Sequence, residues 1–175
     1  MTARRTGSAL PAPFRSGPFT VRADWIDENG HLNLAYYVLL FDWATDALWT
    51  PIGLGQALRA RRYATFAAET HTFYRAELLE GETVVIDSQI IATDAKRLHI
   101  AHEMRRVRDD AVAAQQELMF LSVSLDTRRV TPWPESVAAG LREAAVAHRA
   151  LPCPDWIGRQ LTMPSRPRGV MPSRA

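Results

Sequence analysis

At 175 residues, with 47% hydrophobic and 23% charged side chains, the chain suits one globular domain with a full-sized core. Its net charge of +2 is unevenly spread. Residues 1–17 hold Arg4, Arg5 and Arg15 and no acid, residues 149–175 hold five arginines against Asp155, and the stretch 18–148 between them is therefore acidic. An acidic body argues against binding along a phosphate backbone despite a pI near 9.0, so nucleic acid is not an expected partner.

The single cysteine, Cys153, rules out an intrachain disulfide and a cysteine metal cluster. That usage fits a reducing cytoplasm. The N-terminal arginines lack a following apolar run, so no secretory signal is expected. No stretch approaches the ~18 apolar residues of a membrane span, and no membrane partner is expected.

Residues 1–17 mix Pro, Gly, Ser and Arg and are expected to form a flexible arm. "PFTVRA" is β-prone and predicts a first strand. After the turn "DENG", Asn33 is placed to cap a helix running from about Leu34 to Trp49 and stopping near Pro51 and Gly53. Tyr36, Leu40, Trp43 and Ala47 share one face of that helix, and Val38, Phe41, Thr45 and Leu48 an adjoining one. So wide an apolar surface predicts burial on most sides. A basic helical segment, "GQALRARRYA", follows.

From Thr65 onward the pattern changes to strands. "TFAAETHTFYRA" is separated by a turn at Gly81 from "TVVIDSQIIATD", which places Val84, Ile86, Ser88 and Ile90 on one face. Beyond the turn "DAKR", "LHIAHEMRRV" places Leu98, Ile100, His102 and Met104 on one face. A further turn leads into "AAQQELMFLSVSLDTRRVTPW", where Met119, Leu121, Val123 and Leu125 are expected to line one side. "PESVAAGLREAAVAH" closes the domain as a helix, with Pro134 suited to its first turn. Residues 149–175 form a Pro/Arg-rich tail. One buried helix with one meandering antiparallel sheet makes an α+β arrangement, and a sheet of that length must curl around its helix.

The stretch "DWIDENGHLNLAYY" concentrates chemistry at the start of that helix. In isolation, Asp27 is an Asx-turn residue of "DENG". Placed before a helix N-terminus, it is also a carboxylate beside free backbone N–H groups and the positive end of a dipole. Gly30 permits a tight turn. His99 and His102, three apart on a strand, point to opposite faces and cannot form a two-histidine metal site. No metal and no cofactor is expected.

The order strand, long helix, four strands, with Asp27, Gly30, His31 and Asn33 in the pattern D-x-x-G-H-x-N, resembles the hot-dog fold thioesterases of the 4-hydroxybenzoyl-CoA thioesterase-like superfamily. The resemblance covers residues 18–130. Three blocks in order, Trp25 to Tyr37, "ETHTFY" (Glu69 to Tyr74) and "DAKRLH" (Asp94 to His99), are similar to the betainyl-CoA thioesterases of carnitine breakdown. The resemblance implies a curled sheet around a central helix, an acyl-CoA substrate, and a homodimer or homotetramer with its clefts between subunits.

It also implies roles. Thioester hydrolysis needs a base to activate water or a carboxylate that attacks the carbonyl, and Asp27 suits either. The developing oxyanion needs donors, which the first helical turn at Asn33 and Leu34 would supply. His31 would either bond the thioester or brace the turn. Glu69 and His71 share a strand face that would line the acyl pocket. A trimethylammonium acyl group would seek aromatic faces, offered by Trp25, Tyr36, Trp43 and Tyr74, and a carboxylate, offered by Glu69, Asp42 or Asp46. Lys96 and Arg97 would meet CoA phosphates. The same pattern would also serve an aromatic or medium-chain acyl group, an acyl-carrier-protein donor, or a protein that binds acyl-CoA without cleaving it.

Overall fold

The computed structural model describes residues 10–162. Its elements in chain order are β1 (Phe14–Thr20), α1 (Leu34–Ile52), a short α2 (Gln56–Arg59), β2 (Tyr63–Tyr74), β3 (Thr83–Thr93), β4 (Arg97–Arg106), β5 (Val112–Ser124) and α3 (Glu135–His148). The strands form one antiparallel sheet in the order β1-β3-β4-β5-β2. This is the α+β arrangement that the sequence pattern predicts and the hot-dog architecture that the resemblance implies, with the free edges at β1 and β2.

α1 begins where Asn33 accepts a hydrogen bond from the Ala35 N–H at 3.0 Å, and ends at Gly53, whose φ of 82° a side chain would strain. Its buried stripe is Tyr37, Leu40, Phe41, Ala44, Thr45, Leu48, Trp49 and Ile52. The upper half meets Val84, Ile86, Met104 and Ala114 of the sheet, and the lower half meets Ile90, Leu98, Ile100, Leu118 and Phe120. The alternation in β3 and β4 therefore places the residues that the sequence assigned to the core. α3 closes the lower end. Gly140 makes this possible, because a Cβ there would sit 2.7 Å from the Ile52 carbonyl oxygen.

Three expectations need correction. α1 is not buried on most sides: Val38 and Trp43 are about two-fifths exposed and Leu34 more so. In β5 the core side is Leu118, Phe120 and Ser122, not Met119 and Leu121. That strand carries apolar residues at both parities, so its alternation alone could not choose. β1 starts at Phe14 within the expected flexible arm, since the ladder with β3 begins at Phe14 opposite Ser88, and Arg15 also pairs with Asp87 at 2.7 Å. Beyond α3 the chain packs on the sheet as far as Arg159: Trp156 is buried, the Gly158 N–H donates to Glu117 at 2.8 Å, and the Arg159 carbonyl lies 3.1 Å from His71 Nδ1. This segment crosses the sheet face turned away from α1.

His148 ties three segments together. A bulge at Ile90/Ala92 lets the Ile90 N–H leave the ladder, and it donates to His148 Nδ1 at 2.9 Å. The other ring nitrogen is then the donor, to the Pro11 carbonyl at 3.1 Å.

Candidate active site

The turn before α1 is closed by its own backbone. The Asp27 N–H donates to the His31 carbonyl at 2.9 Å, and the Gly30 N–H to the Asp27 carbonyl at 3.0 Å, with Gly30 at a φ of 81°. The Asp27 side chain is part of the turn: Oδ1 accepts from the Asn29 N–H at 2.8 Å and weakly from the His31 N–H at 3.4 Å. These donors favour the charged form. The Asn29 amide, ahead of the His31 amide, holds the Asp27 carboxyl below the usual aspartate range against a smaller opposing effect of burial. Both readings of "DENG" hold together: an Asx-turn and an ionised carboxylate at a helix start.

Asp27 lines an open pocket of about 390 Å³ with His31, Leu32, Asn33, Leu34, Tyr37, Tyr74, Arg75, Ala76 and Glu77. The donor pair expected at Asn33 and Leu34 narrows to one. The Asn33 N–H is spent on the Trp25 carbonyl at 3.0 Å, whereas Leu34, the first helical residue, has an N–H without a partner among the described residues. Tyr37 donates its hydroxyl to the Ala76 carbonyl at 3.2 Å, and the Tyr74 hydroxyl lies 3.4 Å from the Leu34 carbonyl. The two rings meet edge to face at 5.3 Å. Burial raises both phenols, so each stays protonated.

The structure groups the other expected residues elsewhere. Trp25 is buried, stacked on Tyr36 at 5.3 Å and edge-on to Trp43 at 5.8 Å, with the Arg22 guanidinium 5.4 Å from its ring centre. Its face is occupied. Asp42 and Asp46 lie on the exposed side of α1, where burial and then the charge of Asp46 raise the Asp42 carboxyl. Glu69 and His71 line a separate 220 Å³ pocket with His99, Glu117 and Arg159, on the face away from α1. Within one chain they do not meet Asp27. Lys96 sits in the β3–β4 turn and Arg97 opens β4; both amides donate to Asp94 Oδ1, and the Arg97 side chain pairs with the Asp94 carboxylate at 2.6 Å. That pairing uses the Arg97 charge locally.

Sequence reasoning missed Tyr37, Arg75 and Glu77. Tyr37 was hidden in a helix rich in aromatics. Arg75 falls at the end of "TFAAETHTFYRA", read as a strand, and Glu77 in the turn beyond it. The structure brings them to the pocket because β2 ends beside the start of α1.

The chain matches the thioesterase-like superfamily over residues 21–141. It is 41% identical over 145 residues to the betainyl-CoA thioesterase of Pseudomonas aeruginosa, covering 82% of this chain and 91% of that one. It is 31% identical to the L-carnitine dehydrogenase/betainyl-CoA thioesterase of Rhizobium meliloti, covering 85% of this chain but only 30% of that protein. Among solved structures, a Staphylococcus aureus protein in complex with CoA superposes with a TM-score of 0.81 at 26% identity, over 91% of this chain and all of that one. A Pseudomonas putida protein gives 0.73 at 33% identity over the same shares.

Proposed function

The chain belongs to the thioesterase-like superfamily, and from that premise we propose that it hydrolyses acyl-CoA thioesters, with betainyl-CoA as its substrate. The observation that carries the chemistry is that one pocket is lined both by Asp27, whose turn amides favour the charged carboxylate, and by Leu34, whose N–H has no partner among the described residues. A thioester carbonyl seated between them would meet a carboxylate at carbon and a donor, backed by the helix dipole, at oxygen. Asp27 then acts as nucleophile or as base toward water, and collapse of the tetrahedral species expels the CoA thiolate.

The substrate reading is supported by the 41% identity to a betainyl-CoA thioesterase across nearly its whole length. The pocket is compatible with a cationic acyl group, since Tyr37 and Tyr74 offer aromatic surface and Asp27 and Glu77 supply negative charge. Glu69 and His71, set apart within one chain, act on substrate only if a second chain brings them to a neighbour's Asp27. We take the protein to be a homodimer or homotetramer working in the cytoplasm, with Lys96 meeting the CoA phosphates and Arg97 doing so only by leaving Asp94. The experiment is thiol release over a panel of acyl-CoAs that includes betainyl-CoA, a neutral branched analogue, a medium-chain and an aromatic thioester. The expected outcome is the highest kcat/KM for betainyl-CoA. Preference for the neutral analogue would refute the substrate, and silence on every thioester would refute the activity.

A further inference from the structure

His31 Nε2 and Glu77 Oε2 lie 2.9 Å apart, and both residues line the Asp27 pocket. The pairing is built into the backbone. The Leu32 N–H donates to the Leu78 carbonyl at 2.8 Å, which fixes the residue after His31 against the residue after Glu77. On the other side of Glu77, the Ala76 N–H reaches the Ala113 carbonyl at 3.1 Å, and its own carbonyl accepts from Tyr37. Leu78 is fully buried. Glu77 thus stands on a strip clamped at both neighbours, and His31 at the base of a turn closed by Asp27. Two flexible side chains meet because their backbones cannot part.

The contact favours one tautomer. A carboxylate oxygen 2.9 Å from Nε2 would repel a lone pair there, so the neutral ring carries its proton on Nε2 and keeps its lone pair on Nδ1. Nδ1 makes no hydrogen bond to the described residues. The other charged or titratable groups around the ring are Asp27, Arg75, Tyr37 and Tyr74, which line the same pocket. Behind Glu77 lies Arg106, whose Nη1 donates to the Glu77 carbonyl at 3.4 Å and is 3.7 Å from Glu82.

On the thioesterase reading above, we propose that Glu77 positions His31 to take the proton from the water that hydrolysis consumes, leaving Asp27 as the nucleophile. Asp27 Oδ2 forms a bond to the thioester carbon as the carbonyl pair moves onto oxygen. Return of that pair breaks the C–S bond and releases the CoA thiolate. Water then attacks the acyl carbon of the mixed anhydride and loses its proton to His31 Nδ1, and the bond from acyl carbon to Asp27 oxygen breaks to restore the carboxylate. The imidazolium, steadied by Glu77, passes its proton to the thiolate, so one thioester and one water give one acid and one thiol. Asp27 suits this division: its Oδ1 is held by two amides that favour the ionised form, which makes it a poor base but leaves Oδ2 free to attack.

Glu77 acts through His31 and is a positioning residue. Its side chain is 61% exposed and that of His31 40%, so a pair serving stability alone would contribute little. The test is betainyl-CoA hydrolysis by the full chain in wild type, Glu77→Ala, Glu77→Gln and His31→Gln, with kcat and KM read separately. Glu77→Ala removes the acceptor, and kcat is expected to fall about tenfold with KM within about twofold. Glu77→Gln keeps an acceptor at the same reach and should recover most of kcat. His31→Gln should cost about a hundredfold in kcat. Wild-type kcat in Glu77→Ala, or a loss shared equally by Glu77→Gln, would overturn the proposal while the thioesterase reading stands. A wild type inactive on every thioester would sink both.

Discussion

Thr45 Oγ1 and His102 Nε2 lie 2.9 Å apart in the sealed layer between α1 and the sheet. Thr45 spends its single O–H on the Phe41 carbonyl at 2.9 Å, so its oxygen must accept, and His102 must carry its proton on Nε2. Nδ1 is then the acceptor for the Ser88 hydroxyl at 2.8 Å. Every polar atom of the imidazole is satisfied in its neutral form, and none is left for a second proton.

Burial accordingly pushes the His102 pKa down to about 3. The unfolded chain binds a proton below the ordinary value of 6.5 while the folded chain does not, so acid favours unfolding. Stability should be full above pH 6.5 and fall by roughly 1.4 kcal/mol per pH unit from there toward pH 3. His148, lowered by its own burial, adds in the same direction. Urea midpoints at pH 7 and pH 5 measure this, and His102→Gln should flatten the dependence. An equal slope in that variant would mean other groups carry it.

Asp27→Asn should reduce hydrolysis to background while leaving the circular dichroism spectrum and CoA binding close to wild type. Asparagine keeps an oxygen for the Asn29 and His31 amides, so the turn survives, and only the charge and nucleophilicity go. Since the amides hold Asp27 ionised, its own titration should not limit activity anywhere near neutral pH. A loss of only a few-fold in kcat would remove Asp27 from the chemistry.

Assembly should run through β2. β5 is paired on both sides, with β4 and with β2, and has no edge to offer a second copy. β2 is left with an open edge of 12 residues bearing Phe66 at 43% exposure. Such an edge invites pairing with a second copy. Light scattering at micromolar protein should give a dimer or larger, and Phe66→Asp should shift it toward monomer. A monomeric wild type would leave Glu69 and His71 with no route to Asp27.

How much of this was legible in the sequence follows from where each signal resides. The alternation of Val84, Ile86, Ser88 and Ile90, and of Leu98, Ile100, His102 and Met104, is a one-dimensional pattern, and it placed β3 and β4 correctly. The helix start was marked by Asn33 and the turn by Gly30, both of which act on their nearest neighbours. The failures are contacts at long range. Nothing in "AAQQELMFLSV" says which parity faces α1. No local feature of residues 149–162 says that Trp156 packs against Phe73 at 6.0 Å. Glu77 looked like a turn residue until Leu32 and Leu78 joined across the fold.

The same difference decides which aromatic residues can recognise a betaine. Trp25 looks ideal in sequence, but its ring lies between Tyr36 and the Arg22 guanidinium, which already takes the part a substrate cation would play. Tyr74 is 47% exposed and lines the Asp27 pocket beside Tyr37. One cation–π contact is worth ~0.5–2 kcal/mol depending on desolvation, or about twofold to thirtyfold in discrimination. Tyr74→Leu should therefore lower the ratio of kcat/KM for betainyl-CoA over its neutral branched analogue by about that factor, with little change for the neutral substrate. Trp25→Leu should instead lower the melting temperature and leave the ratio unchanged, because it empties a buried aromatic stack. Glu69→Gln should move the ratio only in a protein that forms oligomers. Equal losses on both substrates in Tyr74→Leu would show that the ring shapes the pocket without reading the charge.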